Sequence, residues 1–128
     1  ITGTYDGSSK RLYINAVLDN SLSTSGNIGS NTKPVTVAGL DTGSGYLRGL
    51  HGIVYYALLY DRALTFNEIQ QNMRGQIVQD GLKAHYDFTK KLTLSDGKIP
   101  DLSGNGNHGT VNGAKFVNYA ELDKVGIG

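Results

Sequence analysis

The sequence contains no cysteine and no tryptophan, a single methionine and two prolines among 128 residues. Without cysteine there are no disulfides, no thiolate zinc ligands and no thiol nucleophile. Without tryptophan, any flat stacking surface for a sugar has to be built from tyrosine. Charge is scarce at 18% of residues, and twelve Lys and Arg against eleven Asp and Glu leave a net charge of +1. The basic residues are scattered, so the concentrated positive face that a nucleic-acid partner requires is missing. No apolar run approaches the length of a membrane span. What fills the gaps is 18 glycines together with Ser, Asn and Thr, a composition suited to many turns joining short strands. The length allows one ordinary domain or parts of two.

The first segment reads as a hairpin. Ile1–Tyr5 is short and β-prone, Asp6-Gly7-Ser8-Ser9 is a turn, and Lys10–Leu18 returns as a strand. Asn15-Ala16 sits where an Asn-Gly turn would be expected, and a positive φ at Ala16 would cost on the order of 1 kcal/mol relative to glycine. Ser21–Thr32 reads as a polar loop and Pro34–Ala38 as a strand with Val35 and Val37 on one face. Ile53–Tyr60 is the most apolar stretch, with both faces apolar. One short helix follows near 66–74. Thr65 and Glu68 form a capping box, Phe66, Ile69 and Met73 share a face, and Gly75 stops it. Gln76–Asp80 reads as a linker. From Gly81, the residues Leu82, Ala84, Tyr86 and Phe88 alternate with polar ones, as in a half-buried strand. A further short strand is expected between Thr110 and Val117. The fold class is all-β.

Two segments carry a resemblance. Gly52-Ile53-Val54-Tyr55-Tyr56-Ala57-Leu58-Leu59-Tyr60-Asp61-Arg62-Ala63-Leu64-Thr65, followed by Glu68-Ile69, resembles the closing strand and helix of laminin-G-like jelly rolls. Asp101-Leu102-Ser103-Gly104-Asn105-Gly106-Asn107-His108-Gly109-Thr110 resembles the D-x-S-G-N-G-N-H-G-T element of the same family, within the concanavalin A-like lectin/glucanase superfamily. The resemblance implies an antiparallel jelly-roll β-sandwich. In the family the second kind of segment opens a domain and the first closes one, and here the order is reversed. Residues 1–78 are therefore expected to be the C-terminal half of one jelly roll. Residues 79–128 are expected to begin a following repeat, or the two parts belong to one circularly permuted sandwich.

The superfamily includes glucanases, and a retaining glycosidase needs two carboxylates about 5 Å apart, one an acid with a raised pKa. Only Glu68 and Glu121 are glutamates, and the family's D-E pair on the closing strand is replaced by Tyr55 and Tyr56. The chain is therefore not expected to be an enzyme. Related jelly rolls carry a structural calcium, which wants oxygens gathered by a glycine-rich loop. Asp101, Asn105 and Asn107 are the candidate ligands, and Asx-turns that shape the loop without metal are the simpler reading. For a glycan, Tyr46, Tyr55 and His108 are the candidate contacts. Where the family alternates Glu and Arg on the closing strand, this chain has Tyr56 and Leu58. With Val54 and Tyr60 they make an apolar face, expected to be buried against a neighbouring subunit or adjacent repeat. The segment from Arg62 through Asn72 looks like the closing helices of virion structural proteins. The expected role is a non-catalytic module of a virion or extracellular surface assembly. A carbohydrate-binding module accompanying a secreted glycoside hydrolase and a calcium-dependent adhesion domain are the alternatives.

Overall fold

A computed structural model describes residues 1–42, 44–47 and 49–118. Among them are seven strands, one α-helix and one 3-10 turn. The strands are β1 (Thr2–Tyr5), β2 (Ser9–Ile14), β3 (Val17–Ser23), β4 (Leu40–Asp41), β5 (Tyr46–Leu47), β6 (Tyr56–Tyr60) and β7 (Leu82–Asp87). The helix α1 spans Phe66–Met73 and the 3-10 turn Phe88–Lys90. The protein is mostly strand with a single short helix, as an all-β chain should be. The chain divides into two compact units, one of Ile1–Ser30 with Leu59–Lys83, the other of Asn31–Leu58 with the remainder from Ala84.

In the first unit β1, β2 and β3 form an antiparallel sheet with β2 in the centre. Asp6 makes the β1–β2 turn rigid. Its Oδ1 accepts the backbone N–H groups of Ser8 (2.9 Å) and Ser9 (2.8 Å), and its Oδ2 accepts from Arg11 (2.6 Å). The expected long second strand is in fact two. Asn15 (φ 51°) and Ala16 (φ 59°) are both left-handed, so the chain reverses in a two-residue turn with the backbone twist that suits a hairpin. β3 then runs through Ser23, into residues expected to be loop. Ala16 holds this costly conformation because its methyl is buried with Tyr13, Leu64, Ile69 and Val78, and Tyr60 packs against the same cluster. The Ala16 carbonyl also accepts a hydrogen bond from Gln70 Nε2 (2.6 Å). Helix and hairpin are thus tied at the point where a glycine would offer no side chain.

Helix α1 starts where the capping box places it. Glu68 N–H donates to Thr65 Oγ1 (3.2 Å), and Thr65 N–H donates to Glu68 Oε1 (3.0 Å). Gly75 ends it with φ 83° and an N–H donated to the Asn72 carbonyl (2.9 Å). The expected apolar face is only partly used, however. Ile69 is buried at 2% exposure, whereas Phe66 (50%) and Met73 (61%) face solvent. An eight-residue helix makes little more than two turns, so one side chain at its middle reaches the core and those at its ends do not.

Strands β6 and β7 pair in a two-stranded sheet. Asp61 N–H donates to the Gly81 carbonyl (3.0 Å) in the first unit, and Phe88 N–H to the Tyr55 carbonyl (2.9 Å) in the second. That order is antiparallel. β6 begins later than the apolar run at Ile53 suggests. β7 keeps the expected alternation, with Leu82 and Ala84 buried and Lys83 exposed. Two expected strands do not form. Pro34–Ala38 is irregular, with Val35 73% exposed and Ala38 at φ 65°. Residues 110–117 make no strand either, and the preceding Gly109 forms only an isolated bridge with Ile99. Both segments are short with a glycine at one end, and neither has a partner strand among the described residues to satisfy its backbone groups.

Candidate functional site

The second unit is organised around one buried carboxylate. Asp101 is 7% exposed, the buried charged residue among those described. Its Oδ1 accepts the backbone N–H groups of His85 and Ser103, both at 2.9 Å. Its Oδ2 accepts Ser103 Oγ (2.8 Å) and the Asn107 N–H (3.0 Å). Burial works to raise the Asp101 carboxyl. The hydrogen bonds from Ser103, His85 and Asn107 outweigh it and hold the group below the usual carboxylate range. The loop closes around this centre. Asp101 N–H donates to His108 Nδ1 (3.0 Å), Leu102 N–H to the His85 carbonyl (2.7 Å), and the Tyr86 hydroxyl to the Asn107 carbonyl. Gly104 and Gly106 take positive φ between these anchors, at 87° and 74°.

The sequence-expected site residues therefore fall into three groups. Asp101, Asn107 and His108 come together in this loop, with Asn105 beside them through its Nδ2 bond to Ser103 Oγ (2.9 Å). The grouping is not that of a calcium cage. Calcium takes roughly six to eight oxygens, and both carboxylate oxygens of Asp101 already face protein donors, three of them backbone N–H groups. Asn107 contributes its backbone N–H to the carboxylate and its carbonyl to Tyr86. Among the described residues no group of three or more His, Asp or Glu is placed to hold a metal ion. The donor set does not fit calcium.

Of the glycan candidates, His108 is in the loop and exposed, Tyr55 is 56% exposed just before β6, and the Tyr46 side chain lies outside the described residues. Tyr86, on the strand that carries His85, stacks with Phe88 of the 3-10 turn, their ring centroids 6.2 Å apart.

The expected apolar face on the closing strand is split. Tyr56 is 59% exposed, but Val54, Leu58 and Tyr60 are half-buried. Tyr60 belongs to the inside of the first unit. Its hydroxyl donates to the Val78 carbonyl (2.8 Å) and accepts from Asn72 Nδ2 (3.1 Å), while Asn72 Oδ1 accepts the Val78 N–H (2.8 Å). A phenol satisfied in that way packs within the first unit, and Tyr56 is the exposed member of the expected face.

Two features were missed in the sequence. The first is a latch at the end of β6. Arg62 pairs with both oxygens of Glu68, and its Nε contacts the Asp80 carbonyl (3.2 Å) and Oδ2 (3.1 Å). The Arg62 guanidinium, with the Thr65 backbone, lowers the Glu68 carboxyl to about 2. A general acid needs the opposite shift. The signal was the spacing in Arg62-Ala63-Leu64-Thr65-Phe66-Asn67-Glu68, which puts the arginine opposite the capping glutamate. The second feature is the outer face of the first sheet. Ile14 pairs with Val17 and Lys10 with Leu22, so these side chains and Leu12 share the face opposite Tyr13. Val17 and Leu22 are 60% and 62% exposed, Leu12 and Ile14 38% each. A reading in which β2 ran on to Leu18 had no β3 to carry that face. Glu121, the other glutamate, lies outside the described residues.

No protein-family model matches the chain, and no curated protein or solved structure matches it either. The likeness to laminin-G-like domains therefore rests on sequence motifs.

Proposed function

We propose that the chain is part of a non-catalytic jelly-roll module of the laminin-G-like kind, serving recognition or assembly in a virion or an extracellular surface protein. The observation that carries this reading is the three-stranded sheet of the first unit. One of its faces is covered, with Tyr13 buried beside Ile69 of α1. Its other face presents Leu12, Ile14, Val17 and Leu22 to solvent. A sheet apolar on both faces is a layer of a sandwich, whose open side is closed by a second sheet. The occupant we assign to it is the sheet of a neighbouring subunit or of an adjacent repeat. Replacing Leu12 and Leu22 together by serine tests this in the assembled parent particle or polypeptide. Both side chains are exposed in the chain itself, so its own fold should be retained while assembly is lost. Assembly that proceeds unchanged in the double variant refutes the reading.

A glycan-binding role, as in a carbohydrate-binding module beside a secreted glycoside hydrolase, draws support from the exposed Tyr55 ring and the exposed His108 in the second unit. A glycan array with the parent protein and its Tyr55→Ala variant separates the two: array binding lost in the variant favours recognition over assembly. A calcium-dependent adhesion role draws no support from the Asp101 hydrogen bonds.

A further inference from the structure

We infer that the Asp101–Gly109 loop is a latch that closes without calcium, in which a buried carboxylate does the gathering a cation would otherwise do, and which holds His108 in one tautomer. The polarity of the site decides this. A cation site directs oxygen lone pairs inward. Here the groups aimed at the centre are the N–H of His85, Ser103 and Asn107 and the hydroxyl of Ser103, all donating. Their positive ends form a pocket for an anion, and that anion is the Asp101 side chain itself. Two donors meet each oxygen, so the lone-pair sites of the carboxylate are taken and a metal ion at either oxygen would have to displace one of these donors.

The same residue sets the histidine. The backbone N–H of Asp101 donates to His108 Nδ1, which leaves the ring N–H on Nε2. His108 is exposed, so the latch presents a fixed Nε2–H donor at the surface. The chain of cause runs from Asp101 through two short loop segments to one ring orientation. Mutating the loop's asparagine side chains leaves the donors on Asp101 in place, because Asn107 contributes its backbone to the carboxylate. This separates the latch from a calcium loop, in which the amide oxygens are the ligands.

The test uses the whole chain, uniformly labelled with nitrogen-15, in buffer containing EDTA and then with millimolar calcium. The latch requires His108 to show the Nε2–H tautomer in EDTA and the melting temperature to be unaltered by calcium. A melting temperature that rises with calcium overturns it, since a ligand of the native state stabilises by mass action. An Nδ1–H tautomer at His108 overturns it as well. In the variant Asp101→Asn the amide can accept at one oxygen only, so two donors lose their partner, and the melting point should fall by roughly 10 °C or more. Asn107→Ala should lose much less. An Asp101→Asn chain that melts with the wild type, or an Asn107→Ala chain that loses as much, overturns the latch. If Asp101→Asn does not fold, the calcium and tautomer measurements on the wild type still decide.

Discussion

Gly81, just before β7, packs against the residues that follow β6, and a single methyl there tests how the Arg62 latch is built. Gly81 has φ 77°, and a Cβ on it would lie 2.8 Å from Asp61 Oδ1 and 3.1 Å from both Cγ and Nε of Arg62. Two costs follow for Gly81→Ala. The left-handed conformation costs a residue with a Cβ about 1–2 kcal/mol. The Arg62 stem has to move, which loosens its Nε contacts to Asp80 at a further ~1 kcal/mol. The Asp61 carboxylate is half exposed and swings aside cheaply. Reduced freedom of the unfolded chain offsets about 0.4–1 kcal/mol. The expected net loss is about 2 kcal/mol. Gly75→Ala is the matched control, because Gly75 has a similar φ of 83° but nothing within 4 Å of its Cβ position. It should lose about 1 kcal/mol or less.

Urea unfolding followed by far-ultraviolet circular dichroism measures both losses from the midpoint shift at constant slope. The decisive comparison is Gly81→Ala in an Arg62→Ala background. If the arginine stem is what the methyl meets, the cost of the methyl should shrink there to that of Gly75→Ala, a coupling of about 1 kcal/mol. The reasoning is refuted if Gly81→Ala loses no more than Gly75→Ala, or if its cost is the same with and without Arg62.

Three more outcomes are expected. Ala16→Gly relieves about 1 kcal/mol of left-handed strain and removes a buried methyl worth roughly the same, so its urea midpoint should move little, whereas Ala16→Val should lose well over 1 kcal/mol because a β-branched side chain is strained at that φ. Asn72→Ala leaves the Val78 N–H and the Tyr60 hydroxyl each short of a partner, and should cost about 1–3 kcal/mol in the same assay. The carboxyls of Glu68, Asp6, Asp96 and Asp101 are all lowered in the fold, so their stabilisation is complete above the ordinary carboxylate range and is lost as pH falls from about 4 toward 2; a melting temperature that stays flat across that interval refutes this.

The legible parts of the sequence were those where one local interaction dictates the geometry. Thr65 and Glu68 lie three apart, and nothing distant competes with the capping box they form. The alternation from Leu82 to Ala84 survived for the same kind of reason, since two buried positions on one face outweigh any local preference. The β2–β3 turn was half legible. Asn15 signalled it, but Ala16 concealed it, because the methyl that disfavours the turn is needed by a core whose other members, Leu64, Ile69 and Val78, lie far along the chain. Val35 and Val37 misled in the opposite direction. Their alternation is that of a strand, yet no strand is there to pair with them among the described residues. Tyr60 lies on the apolar face of the closing strand, but residue type says nothing about where a phenol's hydroxyl will find its partner. Its two partners come from the helix and from the segment after it.

The Asp101 loop shows why one motif can mark a single place and leave two chemistries open. Aspartate, serine, asparagines and glycines are the residues of an oxygen-lined loop and also those of a loop folded on its own hydrogen bonds. Composition cannot separate the two, since the glycines serve both by giving the backbone left-handed turns. The direction of the backbone N–H groups separates them. Once three N–H groups converge on Asp101, that side chain is an acceptor at the centre of the loop and no longer a ligand at its rim. The serine follows, because its hydroxyl hydrogen is spent on the same carboxylate. The histidine follows next, because its Nδ1 lies against the Asp101 N–H. What the loop offers outward is then a hydrogen-bond donor, suited to the oxygens of a sugar or a peptide carbonyl and unsuited to a cation.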